Sequence, residues 1–263
     1  MKKLSLVIAS RNDSYNSKYT TPLFRLQTSL ERTLHNAGDT DLEIIIVDYG
    51  SDEKIEDCLG IDDKRLRFIY IDKEECEKYD TPFNEVKCIN RGARNSIGDF
   101  IGRIDQDTIV GKRFFDWFNE GNLSEGEFYF GGRRELPMGE YTEQDDAVYV
   151  TPGGRGQSAY WKAAVGVLLI PRNIYLETRG YDERNILFNH MEHEFIARIS
   201  QRISLVNLGR ELNIPFYHLF HETSDSDTRK ENPRNPNRNR SRVKQIDLGC
   251  MSYAYVANLE SWG

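Results

Sequence analysis

Across residues 1–110, short apolar runs rich in branched side chains alternate with stretches long enough to form a helix. Leu4–Ala9 is the first run, Glu43–Val47 (Glu-Ile-Ile-Ile-Val) the second, Arg67–Ile71 the third and Phe100–Ile104 the fourth. Between the first two lies Pro22–Ala37, where Leu23, Leu26, Leu30 and Leu34 recur at helical spacing and Gly38 supplies a stop. Phe83–Ser96 reads as a second helix, directly before the fourth run. Runs without polar alternation belong to strands buried on both faces, and helix-length crossovers join parallel neighbours. The chain is therefore expected to be α/β, with a Rossmann-like half and a mostly parallel sheet over residues 1–110.

Beyond Gly111 the alternation loosens. Phe114–Phe118 reads as helix, Glu127–Phe130 as strand, and Glu135–Gly156 as a loop rich in proline and glycine. Val165–Ile170 is another buried run, with Pro171 at a helix start; Glu192–Ser200 reads as helix and Ile214–Phe220 as strand. Asp225–Arg242 is polar, basic and rich in proline and asparagine, with no hydrophobic period, so it reads as loop. Ile246–Leu259 reads as a terminal helix. The expected organisation is one domain: a nucleotide-binding half (1–110), an acceptor and catalytic half (111–221), a mobile basic loop (222–245) and a C-terminal helix (246–263).

A net charge of −7 argues against a general nucleic-acid binder, and no apolar run approaches the length of a membrane span. The opening apolar stretch is broken at once by Arg11-Asn12-Asp13, so it reads as a strand and not a signal peptide. The four cysteines show no C-x-x-C spacing and suit a reducing compartment. A cytoplasmic location is expected, with peripheral membrane association left open, as is the oligomeric state.

Acidic residues end or follow the buried runs: Asp13, Asp48, and the pair Asp105 and Asp107 in Asp105-Gln106-Asp107. In a doubly wound sheet these positions share the carboxyl edge, where such sheets bind ligands. Two hard oxygen ligands one residue apart suit Mg²⁺ or Mn²⁺ against a diphosphate, although a lone D-x-D also reads as an acidic turn. Asp48, before Gly50-Ser51-Asp52, likewise reads as a turn or helix cap. No G-x-G-x-x-G or Walker A sequence follows the first run, which disfavours dinucleotide and P-loop sites. His218 and His221 are three apart at the end of the last strand, and two imidazoles suit Mn²⁺ better than Mg²⁺. Glu192 opens a helix, where a carboxylate serves either as a general base or as a favourable helix-dipole residue.

Taken in order, these pieces resemble a glycosyltransferase of the GT-A fold near the large family-2 group. Leu6-Val7-Ile8-Ala9-Ser10-Arg11-Asn12 is similar to that family's first strand and nucleotide loop, and Ile46-Val47-Asp48-Tyr49-Gly50-Ser51 to its V-D-x-x-S. Asn90-Arg91-Gly92-Ala93-Arg94-Asn95, before Gly98-Asp99-Phe100, resembles the run leading into D-x-D, and Arg179-Gly180-Tyr181-Asp182-Glu183 with Glu192-His193-Glu194 resembles G-G-F-D-E … E-D-x-D. A closer likeness is to β-1,4-galactosyltransferases and chondroitin-type transferases. There a D-x-D, a residue three before a His, and that His bind Mn²⁺, followed by a mobile N-x-x-N-P segment. The Asp base of those enzymes is Glu192 here, and their tryptophan-glycine run is replaced by Asn189-His190-Met191.

The resemblance implies a metal-dependent, inverting, nucleotide-sugar-dependent hexosyltransferase of the kind used in polysaccharide synthesis. It would move sugar from a UDP-sugar to a saccharide or glycoconjugate acceptor, with Mn²⁺ or Mg²⁺ as cofactor. It implies Glu192 as base and Asp107, His218 and His221 as metal ligands. Ser10, Arg11, Asp13, Asp48, Arg91, Asn95 and Asp105 would face the nucleotide. Trp161, Asp182 and Glu194 would contact the sugars, and Arg229, Asn232 and Arg238 would form a diphosphate loop. Three alternatives stand beside it: a retaining N-acetylgalactosaminyl-type transferase, a nucleotidyltransferase, and a sugar-nucleotide-binding protein without activity.

Overall fold

The computed structural model describes residues 2–14, 20–78, 83–136, 148–149, 167–183, 191–219, 221 and 262. The expected segments 222–245 and 246–259 lie outside them, as do Trp161, Arg229, Asn232 and Arg238.

The chain opens with β1 (Leu4–Ser10), α1 (Pro22–Ala37), β2 (Leu42–Tyr49), α2 (Ile55–Cys58), β3 (Leu66–Ile71), α3 (Lys73–Glu77), α4 (Glu85–Arg94) and β4 (Phe100–Ile104). Next come β5 (Thr108–Val110), α5 (Lys112–Asn119), β6 (Glu127–Gly131), β7 (Arg133–Leu136), β8 (Val148–Tyr149) and β9 (Val167–Pro171). The described part closes with α6 (Arg172–Glu177), α7 (Met191–Ile199), β10 (Ser204–Asn207), α8 (Leu208–Glu211) and β11 (Phe216–Leu219). A seven-stranded sheet has the order β10-β6-β9-β4-β1-β2-β3, and a four-stranded sheet the order β5-β11-β7-β8. In the larger sheet β9 alone runs against its neighbours β4 and β6, so the sheet is mostly parallel, as expected.

The strands alternate their side chains between two cores. Leu4, Leu6 and Ile8 pack with Ile44 and Ile46 on one face, against Leu26, Leu30 and Leu34 of α1. Val7 and Ala9 pack with Ile45 and Val47 on the other, against Val86, Ile89 and Ala93 of α4. Thr21 starts α1 by accepting a hydrogen bond from the Phe24 amide, with Pro22 following, and Gly38 ends it at φ 51°. On α4, a Cβ at Gly92 would stand 2.3 Å from Val7 Cγ1 and 3.1 Å from Val47 Cγ2, so only glycine lets this helix lie so close to the sheet.

The structure shortens two expected elements: the Phe83–Ser96 helix is Glu85–Arg94, and the Ile214–Phe220 strand is Phe216–Leu219. Asn84 explains the first, because its side chain caps the Lys87 amide at 3.0 Å and begins the helix there.

Candidate active site

The parallel strands end together on one edge, and Ser10, Asp48 and the Asp105-Gln106-Asp107 turn lie there. The D-x-D turn is pinned by a polar column on α1. Arg25, Ser29 and Thr33 follow one another at four-residue spacing beside the leucine stripe, all buried. Arg25 Nε lies 3.9 Å from Asp107 Oδ2, Ser29 Oγ donates to the Gln106 carbonyl at 2.7 Å, and the Val110 amide donates to Thr33 Oγ1 at 3.1 Å. Ser10 Oγ adds a bond to Gln106 Oε1 at 2.7 Å, which ties β1 to the same turn.

Strand pairing then brings the histidines to Asp107. In the antiparallel register of β11 with β5, His218 stands opposite Thr108, and the Leu219 amide donates to the Asp107 carbonyl at 2.9 Å. His218 Nε2 is 3.3 Å from Asp107 Oδ1 and His221 Nε2 is 3.1 Å from Oδ2. One donor atom from each residue lies within 4.8 Å of the others, a spacing that lets all three stand about 2.0–2.5 Å from a single ion. Burial would raise the Asp107 carboxyl, but the charge and hydrogen bonds of His218 and His221 hold it well below the usual range. One carboxylate with two imidazoles is a donor set for a transition-type ion such as Mn²⁺ more than for Mg²⁺.

A second charged cluster adjoins the turn, and sequence reasoning missed its centre. Arg103, on β4, is 5% exposed. Its Nη2 hydrogen-bonds Glu85 at the start of α4, and lies 2.7 Å from Asp105 Oδ1 and 3.5 Å from Glu192 Oε1. Arg133 Nη1 reaches Asp105 Oδ2 at 3.3 Å. The available signal was a lone charge inside the run Phe100-Ile101-Gly102-Arg103-Ile104, a position a buried strand normally fills with an apolar side chain. Arg25 gave a similar signal on the apolar face of α1.

Several expected nucleotide contacts have other partners. Asp48 accepts bonds from the Ser51 hydroxyl and amide and from the Ile55 amide, so its carboxylate shapes the turn after β2. Ser51 Oγ in turn accepts from the Asn12 amide at 2.8 Å and holds the loop carrying Arg11 and Asp13, both half-buried at this edge. Arg91 pairs with Glu75 of α3 at 2.7 Å. Asn95 lies away from this edge. It caps the carboxyl end of α4, and its carbonyl accepts from Arg67 near the start of β3, at the opposite edge of the sheet. The antiparallel course of α4 against the strands carries it there.

Glu194 grips Arg198 through two bonds, at 2.6 and 3.1 Å, and Arg198 donates to the carbonyls of Thr178 and Gly180. Glu194 thus braces the loop containing the fully buried Asp182. Asn90 completes that brace: its Oδ1 accepts from Tyr175 Oη and the Tyr181 amide, and its Nδ2 donates to the Tyr181 carbonyl and Glu183. A cleft of about 930 Å³ opens at the opposite edge of the sheet. There Lys3, Arg65 and Arg67 already pair with Asp41, Asp63 and Glu43, so they offer no surplus charge to a phosphate.

A mostly parallel seven-stranded sheet with one reversed strand, a D-x-D turn at its carboxyl edge and a small second sheet behind that turn is the GT-A fold. The chain is similar to the crystal structure of S. aureus TarS at 13% identity and a TM-score of 0.52, covering 83% of this chain and 37% of that one. It is also similar to S. aureus TarS 1-349 in complex with UDP-GlcNAc, at 14% identity and a TM-score of 0.53, covering 84% of this chain and 60% of that one. This chain therefore spans less than two thirds of either structure. No family model matches the sequence, and no curated protein matches it. Among the described residues, no helix is long and apolar enough to cross a membrane.

Proposed function

We propose that the chain is a metal-dependent, inverting glycosyltransferase that moves a sugar from a UDP-sugar to a saccharide or glycoconjugate acceptor. The observation that carries this reading is the cluster of Asp107, His218 and His221 at the carboxyl edge of a GT-A sheet. The similar TarS structure in complex with UDP-GlcNAc supports a UDP-sugar as the donor. The finer likeness to β-1,4-galactosyltransferases and chondroitin-type transferases rests on the sequence, where His221 follows His218 by three residues. In this reading Asp107, His218 and His221 hold a divalent ion, Mn²⁺ by preference. When bound, the ion supplies electrostatic stabilisation of the charge that grows on the departing diphosphate.

The remaining work belongs to the chain's side chains. Arg25, Ser29 and Thr33 fix the D-x-D turn, so its carboxylates need no reorganisation during reaction. Glu192, beside Arg103, takes the proton of the acceptor hydroxyl as that oxygen bonds to the anomeric carbon and the bond to the diphosphate oxygen breaks. One such displacement inverts the anomeric centre. In this reading Asp105, held by Arg103 and Arg133, serves the nucleotide from the same turn.

The test is turnover of UDP-GlcNAc and other UDP-sugars with Mn²⁺, and the anomeric configuration of the product by NMR. Glu192→Gln should lower turnover by roughly 10²–10⁴, the usual contribution of a general base. Turnover equal to wild type would remove Glu192 from that role, and a retained anomeric configuration would reject inversion.

A further inference from the structure

We propose that Arg133 is a phosphate-binding residue: its guanidinium takes the β-phosphate of the donor, the one that bears the sugar, beside Asp107, His218 and His221. This inference deepens the reading of the site as one for a UDP-sugar and rests on it.

The chain passes directly from the seven-stranded to the four-stranded sheet at Asp105-Gln106-Asp107, between β4 and β5, and again at Gly132, between β6 and β7. A Cβ at Gly131 would stand 2.3 Å from the Phe216 ring, so glycine lets the second crossing lie against β11. Arg133 is the first residue of β7, and the two crossings meet there: its Nη1 is 3.3 Å from Asp105 Oδ2. The parallel register sets Arg133 opposite Phe216, two residues before His218, and so on the same face of the second sheet as that histidine. Arg133 and the candidate metal ligands therefore line one seam between the sheets.

A guanidinium carries five N–H donors, and the contact with Asp105 uses one of them at a long distance. The Arg133 Nε is buried and meets no acceptor among the described residues. An arginine kept only to hold a carboxylate closes its fork on it, as Arg65 does on Asp63 with Nε at 3.0 Å and Nη2 at 2.7 Å. Arg133 does not. Arg25 and Arg103, the other guanidiniums at this turn, are buried, whereas the Arg133 side chain is 25% exposed and can meet a ligand. Asp105 also divides the cluster: Oδ1 faces Arg103, the neighbour of Glu192, and Oδ2 faces Arg133. Arg133 thus stands on the side away from the acceptor base, which suits a group that departs. A phosphate offers the several acceptor oxygens that a planar fork matches. When the bond from the anomeric carbon to the β-phosphate oxygen breaks, its electron pair stays on that oxygen, and a fixed guanidinium meets that charge without rearrangement.

The experiment is calorimetric titration of UDP and of UMP, with Mn²⁺, into the full chain and into Arg133→Met, which keeps an apolar stem and removes the donors. UDP affinity should fall at least tenfold, while UMP, which lacks the β-phosphate, should bind within about threefold of wild type. In an Asp105→Asn background the same substitution should still cost UDP at least tenfold. UDP affinity unchanged by Arg133→Met overturns the proposal, as does an equal loss for UDP and UMP. A loss that vanishes in the Asp105→Asn background overturns it too, because Arg133 would then act only by screening that carboxylate. Should Arg133→Met not fold, Arg133→Gln takes its place with the same outcomes. Wild type that binds neither nucleotide removes the UDP-sugar reading itself, a result distinct from binding that Arg133 does not influence.

Discussion

Asp107 is anchored from three sides, by His218, His221 and the buried guanidinium of Arg25. Asp107→Asn keeps the shape but leaves those groups facing a neutral amide, so it should lose Mn²⁺-dependent binding and also melt earlier. The melting loss should be on the order of 3–5 kcal/mol, the cost of stranding a buried charge; a variant as stable as wild type would show that Arg25 and the histidines are satisfied elsewhere. Glu85 sets a pH dependence with a definite sign. Its folded value, about 7, lies above the unfolded value of about 4.3, so the native state binds more protons between the two. Stability contributed at this residue is therefore present at low pH and lost as pH rises through that window. The melting temperature of wild type, taken relative to Glu85→Gln, should fall between about pH 5 and about pH 8; a constant difference contradicts the shift. Single residues were unevenly legible. The spacing of D-x-D and of the two histidines was visible in the sequence, whereas the bonds that Asp48, Arg91 and Glu194 make to neighbouring backbone and side chains were not. Arg103 and Glu85 were missed because a buried charge network joins residues far apart in the chain.

Helix α1 does two jobs with adjacent stripes: its leucines fill the core, while Arg25, Ser29 and Thr33 hold the D-x-D turn and β5. Ser29→Ala should cost about 1 kcal/mol for the lost buried bond and weaken Mn²⁺-dependent UDP binding, though Ser29 touches neither ligand. Denaturant unfolding and calorimetry read these separately, and unchanged UDP affinity would mean that the turn holds its shape without this bond. On α4, Gly92→Ala should cost about 1–3 kcal/mol, because Val7 and Val47 are buried strand residues with no room to yield. The long elements were readable because sixteen residues of α1 and eight of β2 give a period something to repeat over. The second sheet was not readable as a sheet. β5 and β7 have three and four residues, too few to show alternation, and the pairing that places His218 beside Asp107 is between segments over a hundred residues apart. The reversal of β9 is a matter of connection, on which its apolar run is silent.

For the molecule as a whole, the parallel order of β3, β2, β1 and β4 gathers the strand ends, and the antiparallel pairing of β5 with β11 folds the histidines back over them. The site thus joins residues 1–110 to the segment just before residue 222. A ligand that bridges both should stabilise the chain globally. At an Mn²⁺ concentration about a hundred times its dissociation constant the gain is about 2.7 kcal/mol, a rise in melting temperature on the order of 5–10 °C. The most direct measurement is a calorimetric titration of UDP into wild type with Mn²⁺, repeated after chelation and with His218→Ala and His221→Ala. Binding that needs Mn²⁺ and weakens at least tenfold in each variant is the predicted result. UDP affinity that is the same with and without the metal, or unaffected by both substitutions, would contradict a metal-anchored diphosphate at Asp107, His218 and His221.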